Sequence, residues 1–125
     1  MGGDFAPGNV VAGALEALRE TNNRFDVILV GPETVVHDAL TLTQHEGLAC
    51  QVLNAPEVIG MHDAATAAVK QKKDSSIAVG ITAHKEGRAD AFVSAGHTGA
   101  VMSASTIILG RLEGVGRPTI GAFFP

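Results

Sequence analysis

Short apolar runs alternate with stretches of helical spacing along this chain, and that alternation narrows the fold more than any other feature. Asp26-Val27-Ile28-Leu29-Val30-Gly31 is a continuous β-branched and apolar run, as expected of a strand buried on both faces, and Gly31-Pro32 ends it. Val35, Val36, Ala39 and Leu40 then supply the inner face of a helix that Gln44-His45-Glu46-Gly47 closes. Cys50-Gln51-Val52-Leu53-Asn54 predicts a second strand, after which Ala55-Pro56 interrupts the chain. Strand and helix in alternation predict a mostly parallel sheet with helices on both faces, a three-layer α/β/α arrangement, and not a sandwich or a bundle.

The flanking segments fit the same pattern. Met1-Gly2-Gly3-Asp4-Phe5-Ala6-Pro7-Gly8 is loop material, followed by a helix with Val11, Ala14, Leu15 and Leu18 on one stripe. It has the form of a strand-to-helix loop lacking its strand, either a chain that starts late or an ordinary flexible N-terminus. Residues 57–62 read as loop or a short turn, and 63–72 as a short alanine-rich helix. Lys70, Lys72 and Lys73 gather at the end of that helix, either as cations set against its C-terminal dipole or as a docking patch for an acidic partner. Asp74-Ser75-Ser76 opens a helix carrying Ile77, Ile81 and His84 and ending at Gly87; capping and substrate binding explain these polar residues equally well. After the loop at 114–118, Thr119-Ile120-Gly121-Ala122-Phe123-Phe124 begins another strand just before Pro125, a second sign of truncation. With no repeats, low-complexity tracts or linkers, residues 1–125 are expected to be one portion of a single α/β domain.

The most informative turn is Ala91-Phe92-Val93-Ser94-Ala95-Gly96-His97-Thr98-Gly99-Ala100. An apolar run fit for a buried strand meets small and hydroxyl-bearing residues, and then a helix with Val101, Ala104, Ile108 and Leu112 at three- and four-residue steps. In a parallel sheet such a turn lies beyond the carboxyl end of a strand, at the positive end of the next helix, where anions bind. Gly96 and Gly99 allow close backbone approach, and the Thr98 hydroxyl can cap the helix or donate to a phosphate oxygen. The turn at 1–7 and the turn at 94–98 are expected on the same sheet edge. His97 can donate to an anion or act as acid or base, whereas His37, His45, His62 and His84 form no metal-ligand pattern.

Composition excludes several classes. The 125 residues are 46% apolar, enough for a packed core. A formal net charge of −4 and the absence of Trp and Tyr argue against nucleic acid as a partner. Cys50 is the single cysteine, so no internal disulfide forms and a reducing, cytoplasmic compartment is the simpler expectation. No apolar run reaches the roughly 18 residues of a spanning helix. Walker A, Gly-x-Gly-x-x-Gly and Gly-x-Ser-x-Gly patterns are all missing, and neither a metal nor a cofactor is expected.

Four motifs in order carry a resemblance: Met1-Gly2-Gly3-Asp4 with Ala6-Pro7; Lys72-Lys73-Asp74-Ser75-Ser76; Ala91 through Gly96 with Thr98-Gly99-Ala100; and Leu109-Gly110-Arg111 with Arg117-Pro118. Together they resemble the bacterial phosphate acyltransferase family, PlsX, over nearly the whole chain. The resemblance implies an N-terminal portion of an enzyme that moves a fatty acyl group from acyl carrier protein to inorganic phosphate, giving acyl phosphate for phospholipid synthesis. It further implies a fold like that of the isocitrate and isopropylmalate dehydrogenases, a homodimer, and a cytoplasmic enzyme in peripheral contact with the membrane. His97 stands where the family usually carries asparagine, so hydrogen bonding suits position 97 better than proton transfer.

Phosphate is itself the nucleophile in such a reaction, so no acyl-enzyme is needed; the protein must hold the dianion near the thioester and stabilise the oxyanion. The expected contacts are Ser94, Gly96, His97, Thr98 and Gly99, with Gly2, Gly3 and Asp4 across the cleft and Asp74, Ser75 and Ser76 adding polar groups. Asp4 would repel a dianion directly and is better suited to orient a donor or share a proton. The competing readings are a phosphate acetyl- or butyryltransferase, a dehydrogenase of the related fold, and a non-catalytic anion-binding module.

Overall fold

The computed structural model describes residues 2–121. Five helices and two strands follow the loop at the start: α1 (Gly8–Glu20), β1 (Val27–Gly31), α2 (Glu33–Thr41), β2 (Cys50–Asn54), α3 (Ala65–Gln71), α4 (Ser76–Lys85) and α5 (Thr98–Ile108). The strands pair in parallel with Val27 opposite Cys50 and Leu29 opposite Val52, and α2 forms the crossover. The result is a small α/β domain with helices flanking a short parallel sheet.

Two apolar clusters hold it. In the first, Val11, Leu15 and Leu18 of α1 meet Leu29 of β1 and Val36, Ala39 and Leu40 of α2, so the stripe spacing in both helices becomes a shared buried face. In the second, Ala68 and Val69 of α3 and Ile77 and Ile81 of α4 enclose Ala100 and Ala104 of α5. Small residues at 100 and 104 let α5 lie close to its neighbours.

Asn23 secures the first cluster from outside. It holds a left-handed backbone at φ 54°, tolerated better by asparagine than by most side chains. Its amide donates to the Gly47 carbonyl at 2.9 Å while its side-chain oxygen accepts from the Ala49 N–H at 3.1 Å. The chain entering β2 is thereby tied to the end of α1.

Three expectations are corrected. Residues 91–94 form no strand: Val93 is 92% exposed, and among the described residues no neighbouring strand supplies a ladder, which an apolar run requires before it becomes sheet. Leu112 lies beyond the end of α5 and is 81% exposed, so the stripe stops at Ile108. Of the strand expected at 119–124, residues 119–121 are irregular and 122–124 lie outside the described residues.

Phe92 explains how the 91–94 segment is nonetheless placed. Its ring lies over α4 where Gly80 has no side chain; a Cβ there would come within 2.4 Å of the ring carbon Cε2. Gly80→Ala is therefore expected to destabilise the fold by about 1–3 kcal/mol through overpacking. In a Phe92→Ala background the added cost of Gly80→Ala should largely vanish, measured as a double-mutant cycle by urea unfolding; an unchanged cost would show that the ring does not set the constraint.

Candidate anion-binding site

The two glycine turns meet. A Cβ on Gly2 would lie 2.7 Å from the Gly96 nitrogen and 2.8 Å from its Cα, so the backbones touch at a distance no side chain permits. Gly3, with φ +85°, faces Ala95. Pro7, further along the first turn, lines a small cleft with Leu29, Val30 and Val36, beside the carboxyl half of β1.

His97 is the N-cap of α5, one of the two roles that the sequence offered for Thr98. Its Nδ1 accepts from the Ala100 N–H at 3.3 Å, as a shorter Asn or Ser side chain does at other helix starts. Thr98 is instead the first helical residue, exposed, with its hydroxyl unpaired among the described residues. Its backbone N–H and that of Gly99 likewise have no partner among the described residues, while Ala100 and Val101 both donate to the His97 carbonyl, at 2.9 and 3.0 Å. The Gly96 N–H is occupied, donating to the Ser94 hydroxyl at 3.1 Å. Two open donors on the first turn of an eleven-residue helix are therefore what the turn offers an anion.

Gly99 has its own steric reason. A Cβ there would meet His97 Cε1 at 3.1 Å and the Ala65 methyl at 3.4 Å. The imidazole thus lies along the mouth of the helix, with α3 behind it.

The other expected residues are distributed more widely. Asp4 is exposed in the first turn and makes no hydrogen bond or ion pair among the described residues. Ser75 is fully buried as the N-cap of α4, its hydroxyl accepting from the Ala78 N–H at 3.4 Å, and Ser76 is buried beside it. The Asp74 N–H donates to Glu57 Oε2 at 2.9 Å, in a bridge that binds 57 to 74–76. Among the described residues this turn makes no direct hydrogen bond to either glycine turn. No group of three His, Cys, Asp or Glu side chains among them is placed to hold a metal ion.

Asp63 and Lys72 were not singled out by the sequence as partners of His97. The Asp63 carbonyl lies 3.1 Å from His97 Nε2, and its carboxylate accepts from Lys72 Nζ at 2.6 Å and from the Gly60 N–H at 2.9 Å. Lys72 also donates to the Val58 carbonyl at 2.9 Å. Thirty-four residues separate His97 from Asp63, so no local spacing reveals the pair. The readable cue was Gly60 three positions before Asp63, a turn whose carboxylate reaches back to a free N–H.

Residues 1–125 match the family model described as "Fatty acid synthesis protein". The chain belongs to that family. It is 53% identical over 125 residues to the phosphate acyltransferase of Chlorobaculum parvum and 50% identical over 126 residues to that of Salinibacter ruber. The corresponding enzyme of Acetivibrio thermocellus is 42% identical over 125 residues. Each alignment covers 100% of this chain and 37% of the relative, so the chain spans little more than a third of these relatives' length. The resemblance drawn from the four motifs is borne out over the whole sequence. No helix among the described residues is long and apolar enough to cross a membrane.

The hydrogen bond from Lys72, then that from the Gly60 N–H, holds the Asp63 carboxyl below its ordinary value of 3.8. A depressed carboxyl stabilises the fold above its unfolded value, and the contribution disappears as the pH falls from about 4 through the lowered folded value. Lys72→Met should move the Asp63 midpoint upward, toward 3.8, in an NMR pH titration. An unmoved midpoint would show that the ammonium is not what holds it down.

Proposed function

We propose that this chain supplies the phosphate-binding part of an acyltransferase that moves a fatty acyl group from acyl carrier protein to inorganic phosphate. The product is acyl phosphate for phospholipid synthesis. The observation that carries this reading is the contact of Gly2 with Gly96 beside the open Thr98 and Gly99 N–H groups, in a chain that aligns end to end with enzymes named phosphate acyltransferase. In this reading the chain is the N-terminal portion of a single α/β domain of the isocitrate and isopropylmalate dehydrogenase type. The complete enzyme is a cytoplasmic homodimer in peripheral contact with the membrane.

Phosphate sits on the first turn of α5, taking hydrogen bonds from the Thr98 and Gly99 N–H groups and the Thr98 hydroxyl. Its free oxygen attacks the thioester carbonyl of the acyl carrier; the C–O bond forms, the C–S bond breaks, and the carrier leaves as thiolate. Helix-terminal donors also suit the oxyanion of the tetrahedral state. In this reading His97 orients the turn through its cap and not by proton transfer, its ring nitrogens meeting the Asp63 carbonyl and the Ala100 N–H. Asp4, on the facing turn, would repel a dianion directly and serves in this reading to orient a donor or share a proton. Gly3 with Gly2 and Ser94 with Gly96 form the walls, and Asp74, Ser75 and Ser76 hold the start of α4.

The decisive experiment is a chimera in which this chain replaces the matched segment of the Chlorobaculum parvum enzyme, acyl phosphate being trapped as hydroxamate. Transfer from acyl carrier protein is expected, with transfer from acyl coenzyme A much weaker. A folded chimera that makes no acyl phosphate would overturn the reading, and preference for acyl coenzyme A would favour a phosphate acetyl- or butyryltransferase. The 125-residue chain by itself is expected to turn over little and to self-associate, because a two-stranded sheet leaves open edges.

Within the chimera, Gly99→Val should raise the apparent phosphate KM more than about tenfold, since its side chain meets the imidazole and Ala65. Thr98→Val should cost about 0.5–1.5 kcal/mol, roughly a two- to tenfold loss of affinity. His97→Asn should be mild, because asparagine is a good N-cap. If Gly99→Val retains the parental phosphate dependence while His97→Asn abolishes turnover, proton transfer by the imidazole replaces the backbone cradle.

A further inference from the structure

We propose that Lys72 and Asp63 are positioning residues for His97: together they select its tautomer and so keep the first-turn donors of α5 open, an inference that rests on the anion site proposed above. A carbonyl oxygen only accepts, so the 3.1 Å contact with Asp63 assigns the ring proton to Nε2. That leaves Nδ1 bare, as the 3.3 Å bond from the Ala100 N–H requires. The opposite tautomer loses both contacts at once: Nε2 would face the carbonyl without a proton, and an Nδ1–H would face the Ala100 N–H.

The carbonyl that makes this selection belongs to a turn that Lys72 fastens. The ammonium bridges the Asp63 carboxylate at 2.6 Å and the Val58 carbonyl at 2.9 Å, and the Gly60 N–H completes the ring of contacts at 2.9 Å. Lys72 is itself the C-cap of α3, which packs against α5 through Ala65 and through the Thr66 and Ser103 hydroxyls, 3.1 Å apart. Lys72 therefore fixes the turn, the turn fixes the imidazole, and the imidazole caps α5 while remaining clear of the Thr98 and Gly99 N–H groups. A cation that merely complements the α3 dipole would affect stability alone. One that acts through His97 alters the tautomer and the phosphate affinity together.

The experiment uses the full-length chimera described above, labelled with 15N-histidine, whose ring nitrogen shifts report the tautomer, and titrated with inorganic phosphate, its unsubstituted form serving as the native chain. The native chain should show His97 as the Nε2–H form. Lys72→Met should give a mixture of tautomers and weaken phosphate binding by about three- to tenfold, the scale of one hydrogen bond. Lys72→Arg should restore both readouts. In a His97→Asn background, Lys72→Met should leave phosphate affinity unchanged, since the group it acts through is gone. Asp63→Asn, which keeps an acceptor for Gly60 but removes the ion pair, should reproduce the tautomer shift and serves if Lys72→Met loses the native amide spectrum. A pure Nε2–H signal in both variants, or an equal affinity loss with and without His97, overturns the proposal. Failure of the native chain to bind phosphate would instead remove the anion site, and the tautomer readout would still decide the role of Lys72.

Discussion

Everything at the candidate site depends on one close approach, that of the Gly2 backbone to Gly96. The first turn leads into α1 and its apolar cluster with β1 and α2; the second leads into α5 and the cluster of α3 and α4. Two groups of helices with separate cores therefore bring their loops together at a point where neither chain carries a side chain. Such contact supplies little energy of its own. It is maintained because buried faces on both sides fix where each loop must emerge, and glycine is what lets those positions coincide.

The same economy of side chains marks the electrostatics. The cation that fastens the turn beside the mouth of α5 is Lys72, and its charge is engaged by Asp63. The imidazole is held by hydrogen bonds, one nitrogen facing the Asp63 carbonyl and the other the Ala100 N–H. Among the described residues, an anion at this turn would meet oriented backbone N–H groups and the positive end of a helix. Neutral donors of fixed direction discriminate by shape, which suits a small tetrahedral anion that must remain nucleophilic. A guanidinium clamp would bind the dianion more tightly and lower its reactivity by the same interaction.

Periodicity made the helices and both strands legible, because most of these elements bury a face of their own, Val11, Leu15 and Leu18 in α1, Leu29 in β1, Val36 and Leu40 in α2, while β2 is half-buried through Cys50 and Val52. It misjudged residues 91–94, whose composition is that of a strand but whose conformation depends on a neighbour that no local pattern can report. The two glycine turns do meet, but not as loops at one end of a parallel sheet, since 91–94 is no strand and neither turn follows β1 or β2. The cap of α5 was not legible. Histidine is an uncommon N-cap, and only the fold shows that its ring is pinned by the turn that precedes α3.

That pinning also bears on what histidine at position 97 adds beyond the helix cap that asparagine would supply. Either side chain can accept the Ala100 N–H and so begin the helix. The imidazole is longer, and its second nitrogen reaches the Asp63 carbonyl. Histidine thus adds a tether between the α5 cap and the turn before α3, at the cost of needing one particular tautomer. A residue with two possible proton positions serves as a cap only where its surroundings choose between them, and the Gly60-to-Asp63 turn, closed by Lys72, is the surrounding that makes this choice.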